Sequence, residues 1–403
     1  MRLIRRNDYL DRLIACIGSP DIKVITGVRR SGKSKLLEAF RDHVESTLPD
    51  SNVIQINYNL IENENLAEYH ALVDYVERFH IDGKHNFVLI DEVQMCEGFE
   101  KAINSLHASE GYDIYITGSN AFLLSSDLAT LFTGRTIEIE VFPFSLAEFM
   151  RYYDLDDEDS AFDRYVVEGG MPGSYVYPTQ EMRYRYVSDV CGMLVMRDIR
   201  QKYRIRSTDM LERLTDFMMD NVSNISSIRS ITDALSANGI KASGMTVASY
   251  MEYLCNAFAF YRVRRYDLRG KRYLASGDKY YLCDQSFRFA RLGTRNLDYG
   301  RVYENIVAIE LMRRGYEVYV GTLYKREVDF VAMRQGELVY IQVSDDISNR
   351  DTFERECAPL LAIRDAYPKM VIARTRHEAY DHEGIRVVDI ARWLCGAEKS
   401  TAR

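Results

Sequence analysis

Proline is scarce: 7 in 403 residues, too few for the Pro-rich spacers that hold loosely tethered modules apart. Long apolar runs are missing as well. No stretch approaches the roughly 20 residues a membrane-spanning helix needs. The opening Met1-Arg2-Leu3-Ile4-Arg5-Arg6-Asn7 is not followed by an apolar segment of signal-peptide length. A cytoplasmic location with no membrane partner is the expectation. Cys16, Cys96, Cys191, Cys255, Cys283, Cys357 and Cys395 show no C-x-x-C spacing, which argues against a zinc site or a disulfide framework and for reduced thiols. Excess positive charge is absent too. With 52 Lys+Arg against 60 Asp+Glu the formal net charge is −8, so the whole molecule is no nucleic-acid sponge, although charge can segregate between domains. What is present, 47% hydrophobic and 28% charged residues, is the composition of a folded protein, long enough for about two to four domains.

The most informative stretch is Gly27-Val28-Arg29-Arg30-Ser31-Gly32-Lys33-Ser34, a G-x-x-x-x-G-K-S phosphate loop. Ile22 to Ile25 reads as a buried strand before it. Lys35 to Val44 reads as a helix after it, with Leu36, Leu37 and Phe40 at helical spacing. In that context the backbone N–H groups from Gly27 through Arg30, Ser31, Gly32 and Lys35 surround the phosphates of ATP. Lys33 reaches the β and γ phosphates, and Ser34 offers its hydroxyl to Mg²⁺. Downstream, Asn86-Phe87-Val88-Leu89-Ile90 is an apolar run ending in Asp91-Glu92. A buried parallel strand delivers its C-terminal end to the ligand crevice, so Asp91 is the second candidate Mg²⁺ residue and Glu92 the group that activates the attacking water.

Asp113 to Thr117 repeats the logic, a short strand running into Gly118-Ser119-Asn120. Asn120, with Ser119 as the alternative, is the candidate polar sensor of the γ phosphate, or else the cap of the helix that follows. Gly134-Arg135 precedes the strand Thr136 to Val141. An arginine at such a turn is a candidate arginine finger, acting in cis or from a neighbouring copy, and equally fits a solvated side chain.

From Phe144 to about Lys202 the pattern turns helical, broken at Gly169-Gly170-Met171-Pro172. Together with Ile116-Thr117-Gly118-Ser119-Asn120, Leu131-Phe132-Thr133-Gly134-Arg135 and Val141-Phe142-Pro143-Phe144, this run resembles the predicted ATPases of the AAA+ superfamily found in bacteria and archaea. The resemblance covers essentially the whole chain. It implies a P-loop core with a parallel sheet over residues 1–145, a helical lid over 146–206 with the Gly-Gly-x-Pro break near the adenine, and a C-terminal region of unknown function.

Residues 207–285 read as a winged helix. Three helices (about Asp209–Met219, Ser226–Leu235 and Ser243–Phe258) precede strands at Phe260–Tyr266, Arg272–Leu274 and Lys279–Asp284. A basic wing (Arg262, Arg264, Arg265, Arg269, Lys271, Arg272) makes DNA a candidate partner through phosphate contacts. The would-be recognition helix, Val247 to Glu252, carries no Arg or Lys, which favours a lid or protein-contact role. Residues 286–403 read as an α/β domain in which Glu304 on a helix, Asp329 on a strand and the third element Gln342-Val343-Ser344 resemble a restriction-endonuclease-like site. There Gln342 stands for a carboxylate and Ser344 for a lysine, so the fold is expected as a degenerate platform. Glu327, Asp345 and Asp346 are available as substitute ligands.

The expectation is therefore an α/β, ATP-hydrolysing switch using ATP and Mg²⁺, whose nucleotide state governs the later domains. A metal-dependent DNA nuclease under ATP control and a non-catalytic DNA-binding or scaffold regulator are the alternatives. Homo-oligomer and protein partners remain open.

Overall fold

The computed structural model describes residues 4–118, 132, 134–205, 208–270, 272–273, 277–294, 298–324 and 326–396. The chain divides into two compact units, Leu3–Val141 and Phe142–Arg403.

The first unit is built on five parallel strands: β1 (Ile22–Thr26), β2 (Ser51–Asn57), β3 (His85–Asp91), β4 (Asp113–Thr117) and β5 (Thr136–Glu140), in the order β2-β3-β4-β1-β5. β1 and β4 are buried at every position, as expected of strands covered on both faces. α1 (Asn7–Ala15) and α2 (Lys33–Thr47) place Leu10, Leu13, Leu36, Leu37 and Phe40 in one core, against Phe87, Leu89 and Tyr115. α3 (Tyr69–Arg78) and α4 (Phe99–Ala108) place Leu72, Val76, Ile103 and Leu106 in the other, against Ile54, Ile90 and Ile116. The strands β1, β3, β4 and β5 and the helix α2 match the sequence reading to within a few residues. Ahead of α3, Ile61–Leu66 is a 3₁₀ turn.

One side chain looks out of place. Lys23 is fully buried in β1, yet its ammonium meets Asp113 Oδ1 and Ser19 O, each at 2.6 Å. The other Asp113 oxygen accepts from Gly18 N at 2.9 Å and sits 3.1 Å from His85 Nε2. A buried ion pair is tolerable when its remaining lone pairs are satisfied in this way.

The second unit contains helices and a large mixed sheet. α5 (Leu146–Tyr153), α6 (Glu158–Glu168) and α7 (Gln180–Gly192) fill the segment read as a lid. α8 (Arg200–Tyr203) closes this run, and α9 (Thr208–Asp220), α10 (Ile228–Ala237) and α11 (Gly244–Asn256) form the three-helix module. The long strand expected at Phe260–Tyr266 is interrupted at Arg264. β6 (Phe260–Val263) pairs antiparallel with β9 (Lys279–Leu282), while β7 (Arg265–Asp267) and β8 (Arg272–Tyr273) form a hairpin on the edge of the C-terminal sheet. β7 lies parallel to β10 (Glu317–Leu323). The wing is therefore shared between two sheets, and the C-terminal sheet recruits strands from before residue 286. After α12 (Ser286–Leu292) the order is α13 (Tyr299–Arg313), β10, β11 (Arg326–Arg334), β12 (Glu337–Ser344), α14 (Arg350–Leu361), β13 (Lys369–Ala373), β14 (Tyr380–His382), β15 (Ile385–Asp389) and α15 (Ile390–Cys395). The sheet runs β14-β15-β13-β12-β11-β10-β7-β8.

The Gly169-Gly170 break is a packed joint. Asp284 is buried, and its carboxylate accepts from Gly170 N at 2.6 Å and Ser286 N at 2.9 Å. Burial pushes its carboxyl up, and these donors resist that rise. A Cβ on Gly169 would lie 2.3 Å from Asp284 Oδ1, and one on Gly170 would lie 2.4 Å from Phe144 O. The first also sits at φ +72°, where only glycine is unstrained. Because the obstacle at Gly170 is backbone, it cannot rotate away. Gly170→Ala is expected to cost about 1–3 kcal/mol by overpacking, read as a lower urea midpoint for unfolding of the second unit.

Candidate active site

The phosphate loop sits where β1 ends and α2 begins. Its conformation depends on three positive φ values: Gly27 at 124°, Arg30 at 65° and Gly32 at 103°. Gly27 is also sterically fixed, since a Cβ there would meet Val141 O at 2.2 Å. Lys33 Nζ donates to the loop carbonyls of Gly27 (2.9 Å) and Val28 (3.1 Å). Arg30 and Lys35 are exposed, and the Lys35 ammonium pairs with Glu38 at 2.6 Å. Ser31 is buried, with no partner on Oγ. Arg6, which the sequence reading passed over, is buried and donates to Ser31 O at 2.9 Å while lying over the Tyr9 ring. It ties α1 to the loop.

Because β1, β4 and β3 are parallel neighbours, their C-terminal ends arrive together. Ser34 Oγ donates to Asp91 Oδ1 at 3.0 Å, and Thr117 Oγ1 donates to the same oxygen at 2.5 Å. Thr117 in turn accepts from Glu92 N at 3.1 Å. One hydroxyl thus joins both acids. Glu92 adopts φ 58°, uncommon for a residue with a side chain, and its carboxylate accepts from the Gln94 amide. Burial pushes the Asp91 carboxyl up, partly offset by the Thr117 and Ser34 hydroxyls. Its Oδ2 is buried with no hydrogen-bond partner. An orphaned carboxylate oxygen beside a serine hydroxyl is the hard-donor set a Mg²⁺ ion takes, so the residues fit that ion.

Asn120 and Ser119 lie outside the described residues. Thr117, three residues before Asn120, is the polar group of this strand that touches the acids. The sequence signal was its position as the last residue of the buried run. Arg135 stands at the opposite end of the sheet: its carbonyl accepts from Ile22 N at 2.9 Å, at the start of β1, whereas the loop follows the end of that strand. It borders a cavity of 890 Å³ with Lys84, His85, His107 and Asp113. The loop of the same chain thus lies beyond the other end of β1 from Arg135.

In the second unit Glu304 and Asp329 do converge, but on a lysine. Lys279 Nζ is 2.7 Å from Glu304 Oε1, 2.6 Å from Glu327 Oε1 and 3.7 Å from Asp329 Oδ1. Gln342 faces elsewhere: its Nε2 donates to Glu356 at 3.1 Å and its Oε1 accepts from Asp329 N at 3.3 Å. Among the described residues no group of three His, Cys, Asp or Glu side chains is arranged to hold a metal ion. Burial opposes the Lys279 charge, but the three carboxylates more than offset it and hold the ammonium charged. Burial pushes the Glu304 carboxyl up against the opposing pull of Lys279 and Tyr281, and burial together with the neighbouring Glu304 charge pushes the Asp329 carboxyl up. In the sequence Lys279 is only the first residue of a strand that follows the basic wing; all four residues of Lys279–Leu282 are buried.

A glycine-rich loop between a parallel strand and a helix, facing the acid of a nearby strand in the order β2-β3-β4-β1-β5, defines a P-loop ATPase core of the AAA type. Residues 19–150 match the AAA domain family, and residues 159–298 match a domain family of unknown function. The chain is 35% identical over 400 residues to an uncharacterized protein of Haemophilus influenzae, covering 97% of this chain and 98% of that one. It is 27% identical over 391 residues to an uncharacterized protein of Methanocaldococcus jannaschii, covering 92% and 84%. A solved Walker-type ATPase of Pyrococcus abyssi aligns with a TM-score of 0.46 and 17% identity, over 72% of this chain and 95% of that one. The chain belongs to one family with the H. influenzae protein, and its first unit is a P-loop core that matches the AAA domain family. Among the described residues no helix is long and apolar enough to cross a membrane.

Removing the Thr117 hydroxyl leaves a buried carboxylate oxygen and the Glu92 N–H short of a partner. Thr117→Val is expected to destabilise the first unit by about 1–3 kcal/mol, while Thr117→Ser stays within about 1 kcal/mol of the parent; urea unfolding of both variants checks this.

Proposed function

We propose that the chain hydrolyses ATP with Mg²⁺ at the loop between β1 and α2, and that nucleotide state governs the second unit. The observation that carries the reading is the pairing of Ser34 Oγ with Asp91 Oδ1 at 3.0 Å, beside the unpartnered Asp91 Oδ2. Loop N–H groups of Gly27, Arg30, Ser31, Gly32, Lys33, Ser34 and Lys35 bind and orient the triphosphate. Lys33 leaves the Gly27 and Val28 carbonyls to neutralise the β and γ oxygens, so binding exchanges the ammonium's bonds to neutral carbonyls for bonds to anionic phosphate oxygens. Ser34 and Asp91 hold the Mg²⁺, which when bound supplies charge neutralisation to the leaving phosphate. Glu92 takes up the proton of the attacking water, and Thr117 and Gln94 keep its backbone and carboxylate in place. Asn120 is the proposed γ-phosphate sensor.

Arg135 is assigned to a neighbouring copy's nucleotide, because its place at the far end of β5 suits contact across a subunit boundary. In this reading the chain works as a homo-oligomer. A metal-dependent nuclease has less support, given Lys279 amid the carboxylates. DNA contact has less support as well: Arg262 pairs with Asp278 at 2.6 Å, Arg265 donates to Thr322 and Arg269 lies over Tyr324, so part of the basic wing is engaged internally. A protein partner or the chain's own second unit is the proposed target of the switch.

Two measurements test this. Glu92→Gln should lower ATP turnover 100-fold or more, the order seen for loss of a general base, with nucleotide affinity near the parent's; Lys33→Ala should lose affinity itself. Full turnover in Glu92→Gln refutes the assignment. For Arg135, the Arg135→Ala chain should bind ATP normally and turn over about 1,000-fold more slowly, and mixing it with Lys33→Ala chains should restore part of the activity, since a mixed interface joins an intact loop to an intact arginine. No recovery in an oligomer shown to exchange chains would discard the trans role.

A further inference from the structure

The cluster around Lys279 takes no part in the proposed ATP chemistry and lies wholly within the second unit. Its carboxylates come from two elements: Glu304 from the buried helix α13, and Glu327 and Asp329 from one face of β11, two residues apart. Its ammonium comes from a third, β9, with a side chain only 4% exposed. Tyr281 lies two residues beyond Lys279 and donates to the same Glu304 oxygen at 2.6 Å, while Val343 N donates to Asp329 Oδ2 at 2.8 Å. Carboxylates at the helix and strand positions expected to hold a divalent ion are thus present, buried and hydrogen-bonded, and the point they share is filled by nitrogen. A buried lysine surrounded by three acids is far beyond what charge balance requires of one ion pair.

We propose that Lys279 is the resident cation of this site, its ammonium standing where a divalent metal would otherwise bind and fastening the β6–β9 ribbon to the C-terminal sheet. An ammonium satisfies carboxylates through three N–H donors. It offers no coordination position to water and cannot generate a metal-bound nucleophile. The same acids that would serve cleavage therefore serve attachment, and the surplus negative charge they carry is what a doubly charged ion would neutralise once the lysine is removed.

The test uses the full-length chain carrying Asp91→Asn, so that a divalent ion at the phosphate loop does not mask the second site. The probe is Mn²⁺, followed by electron paramagnetic resonance and by melting temperature. With Lys279 in place, no Mn²⁺ binding that depends on Asp329 is expected up to millimolar concentration. Lys279→Ala in the same background should melt about 5 °C or more below its parent. It should bind one equivalent of Mn²⁺, regain melting temperature with it, and lose both effects on adding Asp329→Asn. Binding of Mn²⁺ by the Lys279 chain that Asp329→Asn abolishes would overturn the proposal, and this arm needs only the folded parent. A folded Lys279→Ala chain with unchanged melting temperature and no Mn²⁺ binding would overturn it equally. Should that variant fail to fold alone, its recovery as a folded chain when refolded with Mn²⁺ supports the proposal, and failure with Mn²⁺ as well counts against it.

Discussion

Two hydroxyls meeting on one carboxylate oxygen hold the first unit's chemistry together. Ser34 belongs to the helix after the loop and Thr117 to the end of β4, yet both donate to Asp91 Oδ1 on β3. That convergence is possible only because the strands are parallel and in register, with Ile90 opposite Ile116 and Val24 opposite Ile116 from the other side. A slip of one residue would turn Asp91 to the opposite face of the sheet. The apolar cores on either side of the sheet, where Phe40, Tyr115, Ile90 and Ile103 are buried, are what forbid such a slip. The packing energy of the core thereby becomes positional accuracy at the acids.

The same constraint separates the two ends of the sheet. At the C-terminal end, Asp91 keeps an oxygen without a protein partner. At the N-terminal end, Asp113 is equally buried, but Lys23, Gly18 and His85 occupy its oxygens. One buried acid is finished by the protein and the other is left for something else. A buried charge is costly unless paired, so the incomplete acid marks the side on which binding completes the structure. In the second unit the carboxylates of Glu304 and Asp329 resemble Asp91 in burial and Asp113 in outcome, since Lys279 completes them from within.

The AAA core was legible in the sequence because its signals are local. A parallel strand buried on both faces reads as an apolar run, and the loop's glycines mark backbone angles that other residues resist, as Gly27 against Val141 shows. Thr117 was harder to see: its role arises from the lateral neighbours β1 and β3, which a linear reading does not rank against the adjacent Ser119 and Asn120. Arg135 was legible as a turn residue but not as lying at the far end of the sheet, a fact that follows from β5 running parallel to β1.

Beyond residue 142 the signals become relational. Gly169 and Gly170 read as a break; Asp284 and Ser286, more than a hundred residues later, leave no room for a side chain at the first, and the Phe144 carbonyl leaves none at the second. The basic wing read as a surface because its arginines cluster in sequence, but β6 pairs with β9 while β7 leaves to join β10. That division carries Lys279 inward with a strand that is buried throughout. A lysine at the head of an aromatic strand is costly to bury without counter-charge, so it required acids from elsewhere in the chain. Glu304 and Asp329 had been identified as acids in search of a cation. Glu304 and Asp329 stood out in the sequence as paired acids; Lys279 did not, because the sheet pairing that brings it to them joins strands far apart in the chain.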